Sequence, residues 1–514
     1  MHVCVSIPAD HACELGLAEL TRRVAPADLV EIRLDARPDF PLEWIPRLGK
    51  PVIATCRLRA QGGSWNGSEA DRMALLRRAV DAGAAWVDLE WKCGAQARAF
   101  RPARVLTSHH VLDGLPDDVE GVLREMTLEG GDAIKLVAHA RTTLEAVTFS
   151  SAVRLALAAR DWQSQLAGPG LPPVAAFAMG EAGTWTRVAL ARLGAPWVYA
   201  ALDRSRATAP GQPTLAEWTG VLRVHRLGAG TALYGLIGNP VAHSLSPLIH
   251  NLAFEKEGID AIYVPFLVTD PGALPAVLAL DVRGFSVTIP YKEAVLPLVD
   301  RRSRAATEIG AVNTLVRRGD AQAVGWEGGN TDAAGALAAV ARAYGASPDT
   351  PFLAGKRALV LGAGGAARAI AWGLARAGAR VAVSGRTGTR AEALAREMKL
   401  VAVPWDARAG EAPDLLVNTT PVGMAPRAEE SPWPSSALHA GMVVFDTVYH
   451  PRRTRLLADA KAAGARVVEG IEMLVEQAAL QFTAWTGRPM PRAAVEAARS
   501  TAWPAGQPAG RPAE

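Results

Sequence analysis

RALVLGAGGAARAIAWGLARAG, residues 357–378, sets the class of the second half of the chain. A short apolar strand runs into the turn GAGGAA, and an alanine-rich helix follows. Glycines in such a turn let the backbone approach a pyrophosphate at the helix N-terminus. Gly362, Gly364 and Ala367 fill the G-x-G-x-x-A positions, with Gly365 and Ala366 between them. The strand–turn–helix context favours a dinucleotide seat over a bare helix start. The next strand, RVAVS, ends in Ser384, Gly385, Arg386 and Thr387. An acid there would take ribose hydroxyls, whereas a guanidinium suits a 2′-phosphate. The reading is therefore NADP(H) rather than NAD.

Residues 3–202 upstream of this region hold eight short apolar runs of strand character, the second being LVEIRL (29–34) and the sixth AIKLVA (133–138). Helical spacing lies between most of them, as in EADRMALLRRAVDAG (69–83). Eight β–α units predict a closed (β/α)8 barrel over residues 1–225, with an open doubly wound sheet as the rival. After the joint RVHRLGAGT (223–231), a second α/β series begins at LYGLIG. We expect a further α/β domain over 231–340, a Rossmann-type NADP-binding domain over 350–470, C-terminal helices over 471–500 and a disordered tail over 501–514. The fold class is thus α/β throughout, a (β/α)8 barrel followed by two further α/β domains, the second of Rossmann type.

The chain has 514 residues, 49% hydrophobic and 21% charged. That mixture excludes a disordered chain, and no run reaches the ~20 apolar residues of a spanning helix. Net charge is +4, with bases scattered among acids. A nucleic-acid partner would call for a basic stripe. The opening MHVCVSIPAD reads as a core strand without leader features, and Cys4, Cys13, Cys56 and Cys93 match no zinc or disulfide spacing. We expect a cytoplasmic enzyme with no metal and no membrane partner, as a monomer or homodimer.

Only 8 of the 55 basic residues are lysine, so a lysine inside an apolar run calls for a reason. Lys135 in AIKLVA is such a residue. A buried amine is costly unless paired, and as a free base it can attack a ketone, which a guanidinium cannot do. The alternative is a lysine whose stem snorkels to solvent. His110, one strand earlier, has the chemistry to move protons near neutrality. Glu31, Arg33 and Asp35 alternate through EIRLD and so share a face, Arg57 ends the third strand and Glu90 the fourth.

These motifs, in this order, resemble type I 3-dehydroquinate dehydratase. EIRLD supplies Glu31 and Arg33, TSHH supplies His110, AIKLVA supplies Lys135, MGEAGTWTR supplies Arg187, and TAPGQ supplies Thr208 and Gln212. The resemblance implies a Schiff base between Lys135 and the substrate ketone, with His110 moving the protons. Arg187 would clamp the carboxylate, with Glu31, Arg33, Arg57, Thr208 and Gln212 binding the rest. One position departs from the family: Gln61 stands where a Glu often partners the histidine. A neutral amide cannot raise an imidazole pKa as a carboxylate does, so lower basicity is expected for His110.

In the second half, GNPVAHSLSPLIHN places Ser244 and Ser246 before a helix, a seat for a carboxylate or simply an N-cap. GFSVTIPYKE adds Thr288 and Lys292, AVNTLV adds Asn313, and GGNTDAAG adds Asp332. A lysine beside an aspartate can relay a proton to a carbonyl, or can be a surface ion pair. With EMLVEQAA (Gln477), FDTVYHP (Tyr449) and NTTPVGM (Gly423, Met424), the set resembles shikimate dehydrogenase over about residues 231–500. The resemblance implies Lys292 and Asp332 as the catalytic pair. Ser244, Ser246, Thr288, Asn313, Tyr449 and Gln477 would hold substrate. Gly362, Gly364, Gly365, Ala366, Ser384, Arg386, Thr387, Gly423 and Met424 would hold NADP(H). Ser286 departs from the usual Asn.

The two resemblances are chemically consecutive, since the dehydratase product, 3-dehydroshikimate, is the ketone that the dehydrogenase reduces to shikimate. The expectation is one bifunctional chain acting on 3-dehydroquinate, 3-dehydroshikimate and shikimate with NADPH. Its rivals are a quinate-oxidising second half, or one half serving only as a binding module.

Overall fold

A computed structural model of the chain describes residues 1–93, 99–159, 172–242, 244–319 and 325–500. The tail expected at 501–514 lies outside the described residues. The chain divides into two compact units, Met1–Leu233 with Asp260–Asp281, and Tyr234–Ile259 with Val282–Glu514.

The first unit is a barrel of eight parallel strands: β1 His2–Pro8, β2 Leu29–Arg33, β3 Val52–Thr55, β4 Trp86–Glu90, β5 Arg104–His110, β6 Ala133–His139, β7 Val174–Met179 and β8 Trp197–Ala201. All eight apolar runs read from the sequence become these strands. Their order is β7-β6-β5-β4-β3-β2-β1-β8. At the seam between the end strands, the rings of Phe177 and Tyr199 lie 6.1 Å apart.

Period-two alternation explains what the barrel holds. Cys4, Leu29, Ile53, Trp86, Leu106, Ala133 and Trp197 form one apolar cluster, a plug across the interior. Two residues further along each strand, on the same face, come Ser6, Glu31, Thr55, Asp88, Ser108, Lys135 and Tyr199. This second layer is polar and buried. Two residues further again stand Arg33, Arg57, Glu90 and His110 at the C-terminal mouth. Lys135 is in register with Ser108, and His110 with Val137. The plug excludes water from below, so each polar group above it must find a partner.

Segment Asp260–Asp281 groups with the barrel. Phe266 stacks on Trp185 at 4.8 Å, and Thr143 Oγ1 donates to the Leu267 carbonyl at 3.1 Å.

Beyond the barrel come β9 Ala232–Gly238, β10 Ala261–Leu267, β11 Gly284–Val287, β12 Arg301–Arg302, β13 Thr314–Arg318 and β14 Gly325–Gly329. In the second unit β13 runs antiparallel to both β11 and β14. A separate parallel sheet follows, from β15 Arg357–Leu361, β16 Arg380–Ser384, β17 Val401–Ala402, β18 Leu415–Asn418, β19 Val443–Asp446 and β20 Arg466–Val468. Its order, β17-β16-β15-β18-β19-β20, is the doubly wound arrangement, with the reversal between β15 and β18. The helix Gly365–Arg376 buries Ala367, Ile370, Ala371 and Leu374, the i, i+3, i+4, i+7 stripe that lays it on this sheet. The crevice at the reversal is where such sheets take a ligand.

Candidate functional site

The barrel mouth opens into a cavity of ≈ 300 Å³. All eight residues predicted for the first half line it: Glu31, Arg33, Arg57, His110, Lys135, Arg187, Thr208 and Gln212. Lys135 is 5% exposed, which rules out the snorkelling alternative. Its Nζ lies 3.4 Å from Glu31 Oε1 and 3.3 Å from Asp88 Oδ2, and 4.2 Å from the centroid of the Tyr199 ring. Ser6 and Thr55 donate to Glu31. Arg57 donates to Asp88 and, at 2.6 Å, to Ser108 Oγ, which in turn donates to Asp88. Burial would push the Asp88 carboxyl up, but Arg57 and Lys135 outweigh it and hold it at about 2. Glu31 is likewise held low, burial being overcome chiefly by Lys135. With Glu90 pairing Arg57 and Arg72, three carboxylates balance three cations. Two carboxylates against Nζ stabilise an ammonium, and equally the protonated imine that replaces it.

His110 stands one layer above Lys135. Burial, then Arg57, Lys135, Arg33 and His109, hold its pKa well below the usual 6.5. The imidazole is therefore a neutral base. Arg33 forks onto Asp35 at 2.9 and 2.8 Å, and Asp35 also accepts from Ser64 N. Arg187 is buried against the Phe177 ring at 4.2 Å. Its Nη2 donates to the Pro210 carbonyl at 3.3 Å, while Nε is buried without a partner among the described residues. Burial pushes this guanidinium down to about 9, which an incoming anion would reverse. Thr208 and Gln212 bind each other through Thr208 Oγ1 and Gln212 Oε1 at 3.0 Å.

In the second unit Lys292 is ion-paired with Asp332. Asn313 Nδ2 donates to Asp332 Oδ1 at 2.8 Å, to Thr331 Oγ1 at 3.0 Å and to Gln477 Oε1 at 3.4 Å. Asp332 is 4% exposed, so the surface ion-pair reading fails. Ser244 Oγ accepts the Ser246 N–H at 3.1 Å, and the half-buried Tyr449 hydroxyl bonds Ser244. Ser286 donates to Gln481 Oε1 at 2.7 Å. Thr288 packs so tightly on Gly238 that a side chain there would meet its Cγ2 at 2.3 Å.

The dinucleotide residues gather at the crevice of the parallel sheet. Gly362 has φ +120°, the left-handed side that glycine adopts without strain, and donates its N–H to the Ser384 carbonyl at 2.8 Å. Gly364 faces open space: a Cβ there would meet nothing within 4 Å. Ser384 Oγ is buried with no partner among the described residues. An orphaned hydroxyl, an open glycine turn at a helix N-terminus and the exposed Arg386 beyond β16 fit NADP(H). Thr387 stands at the N-cap position of the helix Gly388–Met398 with no side-chain cap bond, and the turn after β18 carries Gly423 at φ +91° and Met424, which is 40% exposed. Among the described residues, no hydrogen bond ties Arg386, Gly423 or Met424 to the Lys292 cluster.

Three groups were not picked out from the sequence. Asp88 shares the face of Glu90 in WVDLE, and Tyr199 lies under Lys135. His139 also lines the barrel cavity. The spacing 135, 137, 139 puts it on the face of Lys135, and its Nδ1 lies 3.0 Å from the Leu112 carbonyl. A carbonyl only accepts, so Nδ1 carries the proton and Nε2 is left as an acceptor.

Residues 3–228 match the family model for type I 3-dehydroquinase. Residues 236–315 match the shikimate dehydrogenase substrate binding domain, 346–409 the shikimate/quinate 5-dehydrogenase model and 470–498 the shikimate 5'-dehydrogenase C-terminal domain. A bifunctional 3-dehydroquinate dehydratase/shikimate dehydrogenase of Arabidopsis thaliana, a chloroplastic protein, is 35% identical, with 95% of this chain and 83% of that one covered. A shikimate dehydrogenase (NADP(+)) of Moorella thermoacetica is 44% identical over 52% of this chain and 92% of its own. A solved shikimate 5-dehydrogenase of Thermus thermophilus, in complex with NADP(H) and shikimate, is 41% identical, covering 52% of this chain and 99% of its own at a TM-score of 0.46.

Proposed function

The chain belongs to the family of bifunctional 3-dehydroquinate dehydratase/shikimate dehydrogenases, and from that premise we propose how its residues divide the two reactions. The barrel dehydrates 3-dehydroquinate to 3-dehydroshikimate, and the second half reduces that product to shikimate with NADPH.

Lys135 condenses with the C3 ketone, losing one water, and the protonated imine withdraws electrons from C2. Glu31 and Asp88, already on Nζ, stabilise this cation. Neutral His110 takes a C2 proton and returns one to the departing C1 hydroxyl, which leaves as water. Hydrolysis then consumes one water and frees Lys135, so the net change is loss of one water. Arg187 clamps the ring carboxylate, while Arg33, Arg57, Thr208 and Gln212 set the ring's orientation. The observation that carries this reading is the buried Lys135 held by two carboxylates with a neutral imidazole one layer above.

NADPH, when bound, supplies a hydride to the carbonyl carbon. Lys292, with Asp332, holds the substrate oxygen and delivers the proton to it. Asn313 and Gln477 orient the pair, and Ser244, Ser246, Thr288 and Tyr449 hold the remaining substrate groups. Gly362, Gly364, Gly365 and Ala366 would hold the pyrophosphate of NADP(H), Ser384, Arg386 and Thr387 its 2′-phosphate end, and Gly423 and Met424 its nicotinamide end. No described helix is long and apolar enough to cross a membrane, and no group of His, Cys, Asp or Glu among the described residues could hold a metal ion.

Adding 3-dehydroquinate alone to enzyme and NADPH tests the assignment. Loss of absorbance at the NADPH band requires both reactions in sequence. Consumption with 3-dehydroshikimate but none with 3-dehydroquinate would mean that the barrel is inert.

A further inference from the structure

Two adjacent glycines, Gly364 at the N-cap and Gly365 as the first residue, open the helix Gly365–Arg376, and their surroundings differ. Neither has a positive φ, so an alanine could adopt either backbone and only space decides. A Cβ on Gly364 would meet nothing within 4 Å. A Cβ on Gly365 would lie 2.9 Å from Lys292 Cβ, 3.1 Å from its Cδ and 3.5 Å from its Cγ. The first of these atoms is the root of the side chain, which cannot swing aside as a chain end would.

Lys292 also has little freedom to retreat. Its carbonyl accepts the Val312 N–H at 2.7 Å, its Nζ is fixed on Asp332, and Asp332 is itself held by Asn313. The stem is thus anchored at both ends and passes over the bare backbone of Gly365.

We propose that the two glycines do different jobs. Gly364 leaves room for the dinucleotide, whereas Gly365 is a positioning residue whose missing side chain lets the Lys292 stem lie against the turn and sets its ammonium on Asp332. The cofactor turn and the proton donor are therefore in direct van der Waals contact, which fixes the donor relative to the reacting carbonyl. This inference rests on the reading of Lys292 as the group that holds the substrate oxygen.

The test is a pair of calorimetric titrations on the full-length chain, shikimate into cofactor-free protein and NADPH into substrate-free protein. Gly365→Ala should weaken shikimate binding by about fivefold or more, a clearly larger loss than it causes in NADPH binding, since a misplacement near 1 Å is enough to lose a positioned contact. Gly364→Ala should do the reverse. Gly365→Ser carries the same Cβ and must repeat the Gly365→Ala pattern. A parental circular-dichroism spectrum and melting transition of each full-length variant report an intact fold.

Combining Gly365→Ala with Lys292→Ala closes a double-mutant cycle. If Gly365 acts through the lysine, the second substitution adds nothing to the loss of shikimate affinity. Parental shikimate binding in Gly365→Ala, or equal losses of both ligands, overturns the proposal. If Lys292→Ala alone binds and reduces like the parent, the underlying reading of Lys292 fails instead, and the two failures are told apart.

Discussion

Gln61 Oε1 accepts the backbone N–H of His110 at 2.7 Å, so the amide holds the strand end and not the ring. The imidazole Nδ1 is left buried without a partner among the described residues. Burial and then Arg57, Lys135 and Arg33 all oppose its protonated form.

A first prediction concerns pH. The folded-state pKa of His110 lies well below 6.5, burial being the largest cause, so the base form persists as pH falls. The acid limb of kcat/KM for dehydration should then lie below pH ~6.5. Gln61→Glu places a carboxylate beside the ring and should move that limb up by about one unit. A limb that stays put in the variant would remove Gln61 from the account. The same shift has a stability consequence. Below pH ~6.5 the unfolded chain takes up a proton that folded His110 refuses, so this group costs stability as pH falls toward its depressed value.

A second prediction separates chemistry from packing at Lys135. Borohydride added with 3-dehydroquinate should fix a covalent adduct on Lys135, detectable as a mass increase on its peptide. Lys135→Arg keeps a cation near Glu31 and Asp88 but cannot form an imine, so dehydration should fall by on the order of 10⁴-fold or more while reduction is untouched. Lys135→Met removes the cation as well. Two buried carboxylates then lose their shared partner, and the barrel should lose about 3–5 kcal/mol. An adduct at another residue would redirect the mechanism.

Much of this site was legible because polar side chains interrupt apolar strands. Lys135 stood out in AIKLVA, and alternation through EIRLD put Glu31 and Arg33 on one face. The dinucleotide turn announced itself through its glycines. The closed barrel followed from the count of eight β–α units, but the side-chain pairs that meet inside it were not legible. Ser6 reaches Glu31 because β1 lies beside β2, and Lys135 reaches Asp88 because β4 and β6 flank β5, pairings set by the whole sheet. Asp88 was overlooked for a related reason: inside WVDLE it reads as an interruption, and its value depends on Arg57 and Lys135 arriving from other strands. His139 carried a usable signal, four residues beyond Lys135 on the same face. The contact of Gly365 with Lys292 joins residues 73 positions apart in the sequence, and no local pattern foretells it.

Arg386 carries a third prediction. It is exposed at the end of β16, so its removal should not disturb the core. A charge-assisted bond to a 2′-phosphate contributes about 1.5–3 kcal/mol, so Arg386→Ala should raise KM for NADPH by roughly 10- to 100-fold. The KM for NADH should hardly change, because that dinucleotide has no 2′-phosphate to lose. Initial rates of reduction with each dinucleotide check this. Equal losses for both would place Arg386 outside the phosphate site.

Asp332→Asn tests the second catalytic pair without changing its size. The amide keeps a group beside Lys292 and Asn313 but removes the charge that fixes the ammonium. Asn313 Nδ2, which donates to Asp332 Oδ1 at 2.8 Å, then faces an amide that can satisfy it through oxygen alone. Lys292 is half of a largely buried ion pair, its side chain 14% exposed, so losing the carboxylate leaves a cation with reason to swing toward solvent. Proton delivery to the carbonyl oxygen should fail with it, lowering kcat for reduction by about 10²- to 10⁴-fold. Dehydration in the barrel should stay at the parental rate, since Lys135 and His110 draw on different carboxylates. Reduction at the parental rate in Asp332→Asn would show that the pair only holds the fold, and the proton would have to come from elsewhere in the site.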